Sequence, residues 1–296
     1  MVRAFVTGAH GFVGPYLTRH LREQGDDVVA SPAEVDVTDP AAITAALAEA
    51  RPDAVYHLAA LANVADSWRD PAKTFAVNAT GTLNLLEAAR TIDPAPRVLL
   101  VGSAEVYGAA TSDRLPFRED GPLEPVTPYA VSKVAAEQLG FQYHRGFSVP
   151  VVCARAFNHV GPGQNGAFVV VDLARRIAEA VRDGKPDVRV GNLSAARDFT
   201  DVRDVVRAYR LLVEHGHPGE AYNVCSGRAV TIEWLARELI AKSGADLDLV
   251  VDPDLFRPVD VPVLLGDPAK IRAATGWEPS IPLDQTLADV LASVLG

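Results

Sequence analysis

The feature that most restricts this chain lies in its first two dozen residues. Ala4-Phe5-Val6-Thr7 reads as a buried strand and runs directly into Thr7-Gly8-Ala9-His10-Gly11-Phe12-Val13-Gly14. A helix is predicted over Phe12 to Gln24, with Val13, Leu17 and Leu21 recurring every four residues and Gly25 as its stop. Gly8 permits the tight turn, Gly11 lets a pyrophosphate approach the backbone, and Gly14 allows the helix to pack closely on the strand. The helix start offers free N–H groups and a partial positive charge to phosphates. An ordinary glycine-rich turn is the alternative. The strand before it and the helix after it favour a dinucleotide site.

The rest of the chain continues that alternation. Strands are predicted at Val28–Ala30, Ala54–Leu58, Arg97–Gly102 and Pro150–Ala154, and helices at Pro40–Ala50, Thr82–Arg90 and Ala130–His144. Strands alternating with helices imply βαβ units, so the expected fold is α/β, a Rossmann-type doubly wound parallel sheet. The apolar strands agree, because central parallel strands are buried on both faces. After Phe157 the character changes. Asn158 to Gly166 is long and irregular, a helix follows from about Val170 to Arg182, and prolines are frequent from 250 onward. The expected organisation is a dinucleotide-binding domain of 1–157 plus about 201–225. A smaller, mostly C-terminal cap takes up 158–200 plus about 226–296.

Composition excludes several classes. The 296 residues carry 28 Lys+Arg against 38 Asp+Glu, a formal net charge of −10. Sequence-independent nucleic-acid binding needs the opposite balance, so no nucleic-acid partner is expected. No apolar run approaches ~18 residues, so no membrane span is expected. The two cysteines, Cys153 and Cys225, cannot make a disulfide framework and read as buried thiols in a reducing cytoplasm. The chain starts on a strand, so no signal peptide is expected. His10 and His159 have no metal-ligand partners at useful spacing, and no metal is expected.

Cofactor type stays open at this point. The second strand ends Ala30-Ser31-Pro32, without the acid that favours NAD or the arginine that favours NADP. Asp36 is either a partner for the adenine edge or a solvated loop carboxylate.

The candidate catalytic residues are Tyr129 and Lys133, four apart at the start of a helix and therefore on one face. A phenol near an ammonium is expected to have its pKa lowered toward neutrality, which suits proton exchange. Pro128 fits the first turn of that helix. Tyr-x-x-x-Lys by itself is as readily a surface helix pair. Ser103 shifts the balance, because it follows the Arg97–Gly102 strand at the end where open α/β sheets place ligands.

With those residues in view, the chain resembles the extended short-chain dehydrogenase/reductases that act on nucleotide sugars. The resemblance runs through Thr7 to Gly14, His57-Leu58-Ala59-Ala60, Val77-Asn78-Ala79-Thr80-Gly81-Thr82, Ser103 with Tyr129 and Lys133, and Arg155-Ala156-Phe157-Asn158. Within that family it is most similar to GDP-6-deoxy-4-keto-mannose reductases and GDP-mannose 4,6-dehydratases. The C-terminal half carries this likeness, in Arg155 to Gln164, Val190-Gly191-Asn192-Leu193, Arg197 to Val205, Tyr222 to Gly227, Arg257 to Pro262 and Thr275 to Pro279.

The resemblance implies NADP or NAD held by Gly8, His10, Gly11, Phe12, Val13, Asp36, Val37, Leu58, Ala59 and Ala60, with Tyr129 and Lys133 at the nicotinamide end. It implies Asn158, Arg197 and Arg257 at the substrate diphosphate and Asp260 at the nucleotide ribose. Arginine suits phosphate through its planar fork. A surface salt bridge is the alternative for each of these four. His57 lines the cofactor side or is a packed neutral histidine. The Leu83/Leu86 and Ala135/Leu139 stripes are core or a dimer face, and a homodimer through paired helices is implied.

Ser103-Ala104-Glu105 bears on the reaction. The 4,6-dehydratases resemble Thr-Asp-Glu or Thr-Ser-Glu here. Ala104 cannot exchange a proton. Glu105 is either a C5 base or a structural carboxylate at a strand end. Reduction needs only Ser103, Tyr129, Lys133 and a hydride, so the implied activity is NAD(P)H-dependent reduction of the C4 carbonyl of a GDP-4-keto-6-deoxyhexose. A 4,6-dehydratase or 4-epimerase with tightly bound NAD is the first alternative. A non-catalytic dinucleotide sensor, which would generally lack the Tyr or the Lys, is the second.

Overall fold

The computed structural model describes residues 1–109, 111–256 and 261–295. Its main sheet has six strands: β1 (Arg3–Thr7), β2 (Asp27–Ala30), β3 (Ala54–His57), β4 (Arg97–Val101), β5 (Val151–Ala156) and, later in the chain, β9 (Ala221–Val224). All neighbours pair in parallel in the order β2-β1-β3-β4-β5-β9. The doubly wound parallel sheet expected from the alternation is therefore the fold. The order reverses at β1, which has β2 on one side and β3 on the other. Crevices at such reversals, beyond the carboxyl ends of the strands, are where these sheets bind ligands.

Helices cover both faces. On one, α1 (Val13–Glu23) packs with α8 (Val202–His215), and Leu17, Leu21, Val205 and Tyr209 share a core with Val6 and Leu99. On the other, α2 (Pro40–Ala50), α5 (Gly81–Ala89) and α6 (Pro128–Phe147) bury Ile43, Leu47, Leu85, Leu86 and Tyr143 against Phe5 and Val98. Between α2 and α5 run two short helices, α3 (Val64–Arg69) and α4 (Pro71–Phe75), and a π-helical turn at Ala76–Thr80. Leu86 is fully buried, so the Leu83/Leu86 stripe faces the core.

A second core lies in the C-terminal half. There α7 (Val169–Asp183), α9 (Ile232–Ser243) and α11 (Leu283–Leu295) pack around Leu173, Ile177, Leu235 and Leu287. The strands beside them are β6 (Asn158–Val160), β7 (Asp187–Val190), β8 (Ala196–Asp201), β10 (Ala229–Thr231), β11 (Asp248–Val251) and β12 (Val263–Leu264). β8 holds this region together, pairing with β6, β10 and β12. A last short helix, α10 (Ala269–Thr275), returns to β9 and α8 of the larger unit.

Local chemistry explains the element ends. Asp39 accepts N–H bonds from Ala41 and Ala42, with Pro40 opening α2. Thr127 does the same for α6, accepting from Ala130 N at 3.0 Å, so α6 begins at Pro128 and not Ala130 as periodicity suggested. One glycine assignment needs correction. A β-carbon on Gly14 would run into the carbonyl of Ala9. The close approach it permits is between the helix and its own loop, rather than between helix and strand.

Candidate active site

The carboxyl ends of β1, β3, β4 and β5 open into a cleft of about 1030 Å³, closed on its other side by α7 and the end of β7. Gly8, Gly11, Phe12 and Val13 line one end, with Leu58 and Ala60 beside them. Gly8 has φ +66°, and a β-carbon there would sit 2.7 Å from Ala59 N. Only a glycine allows both that backbone and that approach of the two loops. Thr7 Oγ1 ties them together by accepting from Ala59 N at 3.2 Å. No side chain caps α1, so its first-turn N–H groups are left to face the cleft. A glycine cradle at a helix N-terminus, beside a cleft of this size, fits the pyrophosphate of a dinucleotide.

Not every expected cofactor residue reaches the cleft. His10 is exposed and does not line it. Asp36 lies on the exposed loop after β2, where its Oδ1 accepts from Thr38 N and Thr38 Oγ1, both at 2.8 Å, and these bonds hold its carboxyl below the usual range. Val37 is buried against Gly81 and helps seat that loop on α5. His57 is packed rather than cofactor-facing. It lies between Thr7 Oγ1 (2.8 Å) and Thr82 Oγ1 (3.1 Å), and burial pushes its pKa down to about 3, so it is neutral.

The reacting end brings Ser103, Glu105, Tyr129 and Lys133 together in the same cleft. Ser103 follows β4 and starts a 3-10 turn over Ala104–Tyr107, its Oγ accepting from Glu105 N at 3.2 Å. It also hydrogen-bonds the Tyr129 phenol. Tyr129 and Lys133 are 8% and 7% exposed. Lys133 Nζ donates to the Val101 carbonyl at 2.8 Å and lies 5.9 Å from the Tyr129 ring centroid.

This corrects the expected electrostatics. Burial pushes the Tyr129 phenol up to about 12, the Ser103 bond opposing it and the Glu105 charge adding to it. Burial pulls Lys133 down to about 8. The ammonium's distance and its bond to Val101 leave the phenol a protonated acid, not a partly ionised one.

Behind these groups lies a buried network that spacing did not reveal. Arg155 on β5 makes two bonds to Glu137, one turn beyond Lys133 on α6, at 2.7 and 2.9 Å. It also donates to the Tyr107 hydroxyl (2.8 Å), which donates to Asn223 Oδ1 on β9 (2.6 Å). Asn78 adds a second anchor, donating to Ser132 Oγ of α6 at 2.9 Å and to the Leu61 carbonyl at 3.0 Å.

Among the substrate residues, Asn158 and Arg197 line the cleft. Asn158 Oδ1 is buried with no hydrogen-bond partner, an acceptor left unsatisfied in a residue that lines the cleft. Arg257 and Asp260 lie outside the described residues. The cleft also takes in His159 and Gln164, from the matched segment Arg155 to Gln164, and Asp172 and Arg176, which no motif signalled. The His159 ring lies parallel to that of Phe12, centroids 6.1 Å apart, which joins the two halves across the cleft.

The model of the family described as GDP-mannose 4,6 dehydratase matches residues 30–290. This chain belongs to that family. It is 38% identical over 293 residues to the GDP-6-deoxy-D-mannose reductase of Pseudomonas aeruginosa, covering 98% of this chain and 96% of that protein. It is 28% identical over 353 aligned positions to the GDP-mannose 4,6-dehydratase of Yersinia enterocolitica, covering 100% of this chain and 94% of that one. Among solved structures, RMD from Pseudomonas aeruginosa complexed with NADPH superposes with a TM-score of 0.93 at 37% identity, over 100% of this chain and 99% of that one. The fold, the cleft and the family thus agree with the nucleotide-sugar reading of the sequence.

Proposed function

We propose that this protein is an NAD(P)H-dependent reductase of the C4 carbonyl of a GDP-linked 4-keto-6-deoxyhexose. The observation that carries the reading is the Ser103–Tyr129–Lys133 cluster, with a buried, protonated phenol at the end of β4 and no proton-exchanging group at Ala104. Its 38% identity to a GDP-6-deoxy-D-mannose reductase supports the substrate class.

The glycine cradle and the start of α1 would hold the cofactor's pyrophosphate, and Lys133 its nicotinamide ribose. When bound, the cofactor supplies the hydride. Ser103 and Tyr129 hydrogen-bond the C4 carbonyl oxygen, and Tyr129 gives its proton to that oxygen as C4 becomes a carbinol. The donors are in place before charge develops on the oxygen, which is where such sites gain most. Asn158 and Arg197 hold the diphosphate side. We assign the dinucleotide unit to 1–157 plus about 201–225 and the substrate cap to the remainder.

A 4,6-dehydratase is the second reading, favoured by one observation: Glu105 lines the cleft close enough to Tyr129 to influence it. Two assays separate the readings. GDP-4-keto-6-deoxymannose offered with NADH or NADPH should consume reduced cofactor and yield a 6-deoxyhexose. GDP-mannose in heavy water should give no 6-deoxy product carrying solvent deuterium at C5, and such a product would overturn the reductase reading.

We further propose a cytoplasmic homodimer. The two buried free thiols suit a reducing compartment, and Trp68, Phe75, Val131 and Phe147 on α3, α4 and α6 are exposed apolar side chains that suit a partner. Among the described residues, no helix is long and apolar enough to cross a membrane. Light scattering of the purified protein tests the dimer.

A further inference from the structure

One hydroxyl beside the cleft is used by nothing in the fold. Tyr209, in the middle of α8, is fully buried and is among the residues that line the cleft. Its hydroxyl has no hydrogen-bond partner. Buried polar groups are nearly always paired, and an unpaired one weakens the fold that carries it. The run of α8 gives the direction of the side chain. Its first residue, Val202, packs against Gly161, just past β6, and the Gly216 carbonyl after its last turn accepts from the Arg97 side chain at the start of β4. So α8 begins at the carboxyl ends of the strands and runs away from the cleft. Long side chains on a helix lean toward its start, which turns the Tyr209 phenol toward the cleft. Its surroundings are apolar. Val13, Leu58 and Val101 pack on the core that holds Tyr209 and also line the cleft. Burial holds the phenol well above its ordinary range, with Tyr129 near enough to add to the effect, so it keeps its proton.

We propose that the Tyr209 hydroxyl is a cofactor-binding group whose partner is the carboxamide of the nicotinamide ring. The ring must lie between the glycine cradle, which suits the pyrophosphate, and Tyr129, which serves the reacting carbonyl. Val13, at the cradle, and Val101, two residues before Ser103, mark out that stretch, and both pack on the core of Tyr209. Apolar walls suit the faces of the ring. The carboxamide is the ring's one hydrogen-bonding substituent, with a carbonyl to accept and an amino group to donate, and a phenol can meet either. This inference rests on the placing of the nicotinamide at Tyr129 and Lys133 in the reading above.

The test is calorimetric titration of the full chain, native and Tyr209→Phe, with NADPH and with 2′-phospho-ADP-ribose, which is the same dinucleotide without its nicotinamide. NADH and ADP-ribose replace them if that pair binds more tightly. One uncharged hydrogen bond corresponds to about 3- to 10-fold in affinity. Tyr209→Phe should weaken NADPH by that factor and leave the ring-less fragment within about 1.5-fold. Without ligand it should melt no lower than the native protein, because the change removes an unsatisfied hydroxyl and keeps the ring. Unchanged NADPH affinity overturns the proposal. Equal weakening of both ligands overturns it as well, and so does a lower melting temperature without ligand, which would mark a purely structural hydroxyl. No sugar nucleotide enters these titrations, so a different substrate or a dehydratase outcome in the assays above would leave their result standing.

Discussion

Lys133 stands one turn beyond Tyr129 on α6, yet its ammonium donates to the Val101 carbonyl at 2.8 Å and lies 5.9 Å from the centre of the phenol ring. The two residues are thus neighbours that titrate for separate reasons. Tyr129, pushed up to about 12 by burial, keeps its proton throughout the neutral range. Lys133, pulled down to about 8, loses its charge as pH rises through that value. For reduction, kcat/KM should be level between pH 6 and 7.5 and fall towards tenfold per unit above about 8. Lys133→Arg stays charged and should lose that fall in whatever activity it retains. A native profile level to pH 9.5 would contradict the assignment.

Removing the proton donor isolates the chemical step. Tyr129→Phe should lower kcat by about 10² to 10⁴. Ser103→Ala, which removes one donor to the developing oxyanion, should cost about 10² to 10³. NADPH affinity, followed by fluorescence titration, should change less than about threefold for Ser103→Ala, because the glycine cradle is untouched.

Glu105 separates the two reaction classes. In a reductase its carboxylate only biases the phenol upward, so Glu105→Gln should keep kcat within about tenfold while a C5 base would be worth about 10² or more. Loss of more than that in the reductase assay would return Glu105 to the chemistry.

The Glu137–Arg155 pair tests what holds α6 in register. Both side chains are buried, and Glu137→Ala leaves a buried guanidinium without its anion, so a loss of about 3–5 kcal/mol is expected in urea unfolding. Changing both to apolar residues, Glu137→Leu with Arg155→Met, should recover most of that stability but not the activity, since the tie from α6 to Tyr107 is gone.

His57 gives the fold an acid weakness. Its folded pKa of about 3 lies below the ordinary 6.5, so the unfolded chain binds the extra proton first as pH falls. Stability from this group is complete above about 6.5 and drops by roughly 1.4 kcal/mol per unit below it. Asp198 works the other way, because burial raises its carboxyl to about 6 and protonation near that pH favours the folded state. The difference between native protein and His57→Phe, measured from pH 7 to 4, cancels Asp198 and should carry the slope.

The alternation of strands and helices, the glycine cradle and the Tyr129–Lys133 pair were legible in the sequence because each depends on neighbours along the chain, and Ser103 because it follows a strand at the end where such sheets place ligands. A strand, a glycine at φ +66° and a helix start are consecutive, and Tyr129 and Lys133 share a face by helical period alone. What spacing could not supply were quantities set across the fold. Whether Lys133 lowers the Tyr129 pKa depends on Val101, 32 residues away, offering a carbonyl. The neutrality of His57 depends on its burial between a strand and a helix, where threonines of β1 and α5 flank its ring, and the anchoring of α6 on Arg155 and Asn223 from two other strands. Asp172 and Arg176 belong to the cleft only because the cap folds back over the sheet. Sequence determines which groups are present and how near ones face; burial and distant hydrogen bonds, which exist only after folding, set their charge and their aim.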